Sequence, residues 1–357
     1  MPLNAQNALE PDGKSKPARL RRRTRKPAVW AGGIFAAGCA LLAGVALLWA
    51  PRPAAPAPAP FHFRAVWIQD RAGMRDVHAL SSDLYLMGMD SRRGGRERPL
   101  LRTPGRYCRP LLTDDGQTVV YSDRRTGGAH ALRWGGRKPR FLGPGRALDT
   151  WTDPATKLVW VALGDGADPH PRLHRRIRLV RLDDPAIHRD LGLEFAVNEN
   201  NFQFHDDGRL ASGDRAGAGC GFVDLETGEW RQTADGCWPT MAPAGPPVVA
   251  VLQDGHRTLE LVSVEDRRRI RIDAAAGIDP AAGEVFHPRW TNRRTHMALS
   301  GPYSAGTGRN RIGNGGPAVE IHLLEFTDDL AALRATYPIT RNGFADFQPD
   351  IWIAPGD

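Results

Sequence analysis

Residues Arg109–Leu142 read RPLLTDDGQTVVYSDRRTGGAHALRWGGRKPRFL. A short apolar run, Arg109–Leu112, leads into Thr113–Gly116, where Asp115-Gly116 tolerates the positive φ of a tight hairpin turn. Gln117–Ser122 is β-branched and aromatic, the composition of a strand. A turn over Asp123–Gly128 precedes a strand over Ala129–Trp134, and a turn over Gly135–Lys138 precedes a last short strand, Pro139–Leu142. Pro139 has no N–H to give to a ladder, which places this fourth strand on an edge. Four antiparallel strands in 34 residues make one blade of a β-propeller.

The unit recurs with drift. A short apolar strand, a turn and a second strand are read again at Leu148–Trp160, Phe202–Leu210, Cys237–Leu252, His287–Ser300 and Phe347–Ile353. The turn-flanking residues Leu112, Trp151, Phe204, Met241 and Trp290 are spaced by 39, 53, 37 and 49 residues, against a blade period of roughly 40–50. The expected fold is therefore all-β: a six-bladed propeller over residues 61–357, or a seven-bladed one if Asp183–Asn200 hides a further unit. The last unit has too little chain after it to complete a blade, and strands at Arg64–Gln69 and Leu84–Met89 lack partners. Joining the two closes the ring and removes its exposed edges.

The pattern P-x-x-T-D-D-G-x-x-V-V-Y-S-D-R at Pro110–Arg124 resembles the repeat of TolB-like propellers. Cys237–Pro243 has the same form with Ala244-Gly245 in place of Asp-Gly, and His287–Asn292 departs at the turn. The resemblance covers about Phe61–Ile353. It extends to single-anchor propellers of bacterial envelopes without an assigned activity. It implies a fold and no particular chemistry, because propellers host binding proteins, scaffolds and several enzyme types.

The net charge is +8. Eight Lys/Arg against two acidic residues lie in residues 1–28, and the remainder is close to neutral, with 40 basic and 38 acidic residues. That distribution excludes nucleic acid as the expected partner of the main domain. Residues 1–28 are expected to be a disordered cytoplasmic tail. Val29–Ala50 has 22 residues without a charge, flanked by Trp30 and Trp49. As a helix it would extend about 33 Å, enough for one transmembrane span. The preceding basic cluster places the N-terminus in the cytoplasm and all that follows outside. The competing reading is a cleaved signal peptide with its site near Pro53-Ala54-Ala55. Residues 51–60, rich in Pro and Ala, read as a stiff linker. The expected location is the inner membrane, single-pass, with the propeller periplasmic or extracellular.

Candidate residues follow from local density. Glu284–Tyr303 (EVFHPRWTNRRTHMALSGPY) offers Glu284, His287, Arg289, His296 and Tyr303 as ligand-binding groups, with Trp238 and Asn200 beside them at strand ends. Carboxylate and imidazole suit a divalent metal or acid–base work, although no ligand template matches their spacing. The alternative is that His287 and Arg289 tie down a blade edge. Gly306–Gly316 lacks a phosphate-loop signature. Seven tryptophans on expected strands argue for packing between blades. Cys220 and Cys237 flank Phe222–Thr233. They are either a disulfide, contributing ~3 kcal/mol, or two of three unpaired thiols with Cys108.

The functional expectation is a membrane-anchored extracytoplasmic module that binds or scaffolds a protein or glycan of the cell envelope, without a cofactor. The alternative is a carbohydrate lyase or hydrolase with a divalent metal in the propeller funnel, held by Glu284, His287 and His296.

Overall fold

The computed structural model describes residues 59–72, 81, 83–165, 173–215, 219–278, 283–304 and 315–356. All of them fall in the compact unit Pro56–Asp357. The expected tail, anchor and most of the linker lie outside the described residues, as does most of Gly306–Gly316. Among the described residues, no helix is long and apolar enough to cross a membrane.

The chain begins with β1 (Phe63–Asp70), β2 (Leu84–Asp90) and β3 (Arg98–Pro99). The stretch that decided the fold forms β4 (Tyr107–Leu112), β5 (Thr118–Asp123), β6 (Gly128–Arg133) and β7 (Arg140–Pro144), paired in that order. These bounds match the expected strands to within a few residues, and β7 is the edge strand that Pro139 announced. The third sheet holds β8 (Arg146–Thr152), β9 (Val159–Gly164), β10 (Leu173–Arg181) and β11 (His188–Asn198). The segment Asp183–Asn200, weighed as a seventh blade, is thus mainly the outer strand of the third.

The fourth sheet holds β12 (Leu210–Arg215), β13 (Gly219–Asp224) and β14 (Trp230–Ala234), and a bridge from Phe204 to Ala211 lays the preceding segment along its inner side. The fifth holds β15 (Cys237–Met241), β16 (Val248–Gln253), β17 (Thr258–Ser263) and β18 (Arg269–Asp273). The sixth holds β19 (Gly283–Trp290), β20 (His296–Ser304), β21 (Glu320–Phe326) and β22 (Leu333–Pro338). The last strand, β23 (Ala345–Ile353), returns to pair antiparallel with β1, from Phe63↔Ile353 to Asp70↔Ala345. Six sheets are present among the described residues, and the first is completed by β23, as the unpaired early strands required.

Apolar side chains pack between neighbouring sheets. Val248, Leu252 and Leu261 of the fifth form one cluster with Val285, Trp290 and Met297 of the sixth. Each such side chain contributes roughly 1.5–3 kcal/mol by leaving water. Trp67, Trp151, Trp290 and Trp352 are all buried, the packing role expected for strand tryptophans.

Two of them also clip blade to blade. Trp352 on β23 donates its indole N–H to Asp114 O (2.7 Å), and its ring covers Gly116 of the next blade. Trp151 on β8 repeats this with Asp206 O (3.0 Å) and Gly208. Both glycines have positive φ, +65° and +69°. A Cβ at either would lie within 2.4 Å of the indole. The two D-D-G turns, Asp114–Gly116 and Asp206–Gly208, are therefore turn and docking plate at once.

Candidate functional site

The six inner segments run in one direction around the axis. Their starts define a loop side and their hairpins a turn side. Four inner strands carry the same irregularity: Arg109, Trp238, His287 and Gln348 have positive φ, between 53° and 58°. Each precedes a proline: Pro110, Pro239, Pro288 and Pro349. Strand register shifts there, at Cys108/Leu111, Cys237/Thr240 and Phe286/Arg289, and opposite Gln348 at Val66/Ile68. These are β-bulges with a left-handed residue, and the proline leaves no orphan N–H at the break. Such conformations cost on the order of 1–3 kcal/mol each and persist where the surroundings hold them. At Arg109 and Gln348 the bulge places the side chain in the axial network.

The axis is a buried polar network. Arg109 donates to Asn200 O (3.2 Å), Leu148 O (3.0 Å) and Phe202 O (3.1 Å). Its backbone N–H donates to Gln348 Oε1 (2.9 Å), and Gln348 Nε2 donates to Asn200 Oδ1 (3.3 Å). On the turn side, Arg289 donates to Asp149 and lies 3.3 Å from Asp350. The remaining carboxylate oxygens hold the ring: Asp149 accepts from Phe204 N (2.6 Å), Asp350 from Leu112 N (2.8 Å). Burial raises the Asp350 carboxyl, and the neighbouring Asp149 adds to this against the pull of Arg289. Burial opposes the charge on Arg289, yet its two aspartates hold it above the usual arginine range.

Above this network opens a turn-side funnel of about 270 Å³. Asp114, Asp149, Asp206 and Asp350 line it, with Arg289 as the one Lys/Arg among its described lining residues. Trp151, Trp290 and Trp352 form its walls.

The residues named from sequence divide among three places. Arg289 and Asn200 are on the axis. Glu284, His287, Tyr303 and Trp238 gather on the loop side: Glu284 pairs with Tyr303 across β19 and β20, and the Trp238 and His287 rings are 4.7 Å apart. His287 Nδ1 lies 2.8 Å from Ser300 Oγ, which is 3.2 Å from the Tyr303 hydroxyl. Burial pushes the Tyr303 hydroxyl up. His296 is at the far end of the hairpin, edge-on to Phe61 at 5.1 Å. Burial pushes it down to about 4.

Glu284, His287 and His296 therefore do not converge. Glu284 and His296 are roughly 20 Å apart along the strand, and among the described residues no group of three His, Cys, Asp or Glu is placed to hold a metal ion. Cys108, Cys220 and Cys237 are free thiols, with Cys220 donating to Gly236 O (3.0 Å). The bridge that the sequence allowed between Cys220 and Cys237 is not formed.

Sequence reasoning missed Arg109, Asp149, Gln348 and Asp350 as axial groups. It also missed the use of Glu199, buried with Arg124 at 2.7 Å and His174 at 3.7 Å. Burial alone would raise the Glu199 carboxyl. The neighbouring His174, with Arg124 and Arg146 beside it, holds it below the usual carboxylate range. A usable signal existed in the repeated X-Pro within inner strands, at Arg109, Trp238, His287 and Gln348.

The fold and its axial site define a six-bladed β-propeller. No family model matches the sequence, and no curated protein does. Among solved structures, a protein of unknown function from Bacteroides caccae is similar over 83% of this chain and 99% of its own, at 10% identity and a TM-score of 0.47. A chain of a nidogen/laminin complex is similar over 81% of this chain and 98% of its own, at 9% identity and a TM-score of 0.49.

Proposed function

We propose that this chain is a membrane-anchored, extracytoplasmic binding module that receives a basic side chain of a partner protein in its turn-side funnel. The carrying observation is the lining of that funnel: four aspartates surround a recess whose Arg289 is already engaged by Asp149 and Asp350. A volume of about 270 Å³ is below the ~300–1,000 Å³ of typical small-molecule sites, and it suits one lysine or arginine side chain. The uncharged stretch Val29–Ala50 and the basic cluster before it support the anchor and its orientation. The repeat at Pro110–Arg124 supports kinship with TolB-like propellers.

The test is a titration of the full chain in detergent micelles with pentalysine, followed by tryptophan emission, because Trp151, Trp290 and Trp352 wall the funnel. The expected result is saturable binding, absent with pentaglutamate. It is weakened at least tenfold by Asp114→Asn combined with Asp206→Asn, two exposed residues of the lining. Equal response to both peptides, or a variant that binds pentalysine as well as the parent, overturns the reading.

A further inference from the structure

The charge outside the N-terminal tail is balanced in sum and uneven in place. Residues 92–140 hold 13 of the 40 basic residues beyond residue 28, and 4 of the 38 acidic ones. They run from the β2–β3 connection through β3 and the β3–β4 connection into the second blade, whose strands face β3 and the β3–β4 connection. Between them lies a groove of about 840 Å³, three times the volume of the axial funnel. Arg98, Arg102, Arg125, Arg137 and Lys138 line it, all exposed, and Asp123 is its one carboxylate among the described residues. Asp123 lies 3.8 Å from Arg125. The side chains of Arg98, Arg102, Arg137 and Lys138 have no hydrogen bond or ion pair among the described residues. Four cations with no partner, held along one concavity, leave their attraction available to an anionic ligand.

The wall of the groove is aromatic. The Tyr121 and His130 rings stack with centroids 5.4 Å apart and planes 16° from parallel. Just outside this lining, Phe141 meets His130 edge-on at 5.4 Å and is 52% exposed. Only one other large hydrophobic, Ile187, is exposed among the described residues. An apolar ring left in water beside a cationic groove is a surface for a ligand with both an apolar face and negative charge.

We infer that this groove binds an anionic polysaccharide chain, with carboxylates on the guanidinium and ammonium groups and a sugar ring against Phe141. Its acceptors favour a glycan over a phosphate polymer. The exposed hydroxyls of Thr103 and Thr126, also in the lining, accept hydrogen bonds from sugar hydroxyls, donors that a polyphosphate chain lacks. The concavity between two blades admits a single flexible chain and excludes a bilayer surface. The site is separate from the funnel in residues and in sign of charge, so each stands or falls alone.

The probe is carboxymethyl-dextran, titrated by calorimetry into the full chain in detergent micelles, with uncharged dextran on the same backbone as its control. The expected result is binding to carboxymethyl-dextran alone, weakened by added salt. Arg102→Gln with Arg137→Gln and Lys138→Gln reduces affinity at least tenfold, and Phe141→Ala reduces it several-fold at unchanged charge. These side chains are exposed, so circular dichroism and the unfolding midpoint stay as in the parent. No binding by a folded parent, equal binding by the triple variant, or equal binding of uncharged dextran overturns the inference. Tighter binding of polyphosphate or single-stranded DNA overturns it in favour of a phosphate polymer.

Discussion

Arg289 on β19 reaches across the propeller axis to Asp149 on β8, 140 residues away in the chain and three blades away around the ring. The same guanidinium meets Asp350 on β23, the strand that closes the ring. One cation thus joins three blades at their innermost points. The aspartates in turn accept backbone N–H groups of Phe204 and Leu112 from the adjoining blades. Removing Arg289 leaves two buried carboxylates without their ion-pair partner.

Arg289→Met is therefore expected to destabilise the ring by about 3–5 kcal/mol, the cost of leaving buried carboxylates uncompensated. Asp149→Asn keeps the shape and an acceptor for Phe204 N, and should cost less. Denaturant midpoints of the two variants check the order; an Arg289→Met variant as stable as the parent contradicts the axial role.

The D-D-G turns carry a second expectation. Gly116→Ala places a Cβ against Trp352 and strains a φ of +65°. Together these should cost about 2–4 kcal/mol. Gly135 also has positive φ but nothing within 4 Å of a built Cβ, so Gly135→Ala bears only the backbone strain. A larger midpoint shift for Gly116→Ala than for Gly135→Ala is the diagnostic comparison.

The blades were legible because their signals are local. An Asp-Gly turn between two apolar runs fixes a hairpin within a dozen residues, and Arg109–Leu142 contains the whole unit. The drifted fourth blade was found through Phe204 and the Asp206–Gly208 turn. The site was not legible, because Arg109, Asp149, Arg289 and Asp350 come from four blades and meet only when the ring closes. Nearness in sequence misled as well. Glu284 and His296 are 12 residues apart, yet they occupy opposite ends of one hairpin. Arg289, one position beyond the His287-Pro288 bulge, is turned instead to the axis.

Acid should loosen the sixth blade. Burial pushes His296 and His322 down to about 4, and His322 lies 3.1 Å from Gly301 O through Nε2. Each binds a proton more readily when unfolded than when folded. Stability is therefore full above the unfolded value near 6.5 and falls as pH drops toward 4. By about pH 4 the loss is roughly 2–3 kcal/mol for each histidine. Unfolding midpoints measured across that range should decline in the parent and decline less in His322→Gln, whose amide can still donate to Gly301 O.

Thiol labelling separates the cysteines. Cys237 is exposed, whereas Cys108 and Cys220 are buried. Burial pushes all three thiols up, so access to reagent is what separates them. Iodoacetamide on the native chain under reducing conditions should modify Cys237 and spare the other two until denaturant is added. Peptide mass mapping reads the sites. Rapid modification of Cys220 in the native ring would contradict its buried place on β13, opposite Ala234 of β14.

The topology proposal has the most direct check. Val29–Ala50 is free of charge over 22 residues and follows eight Lys/Arg within 28. Moving that cluster across a membrane is far less favourable than moving the near-neutral remainder. A chain tagged at both ends is expressed, and protease is added to cells whose outer layers have been opened. The tag after Asp357 should be cut while the tag before Met1 stays protected in the membrane fraction. The inverse pattern would overturn the assigned orientation. A ring found free of the membrane without protease, and shortened near Pro53-Ala54-Ala55, would replace the anchor with a cleaved signal peptide and leave both binding surfaces where they are.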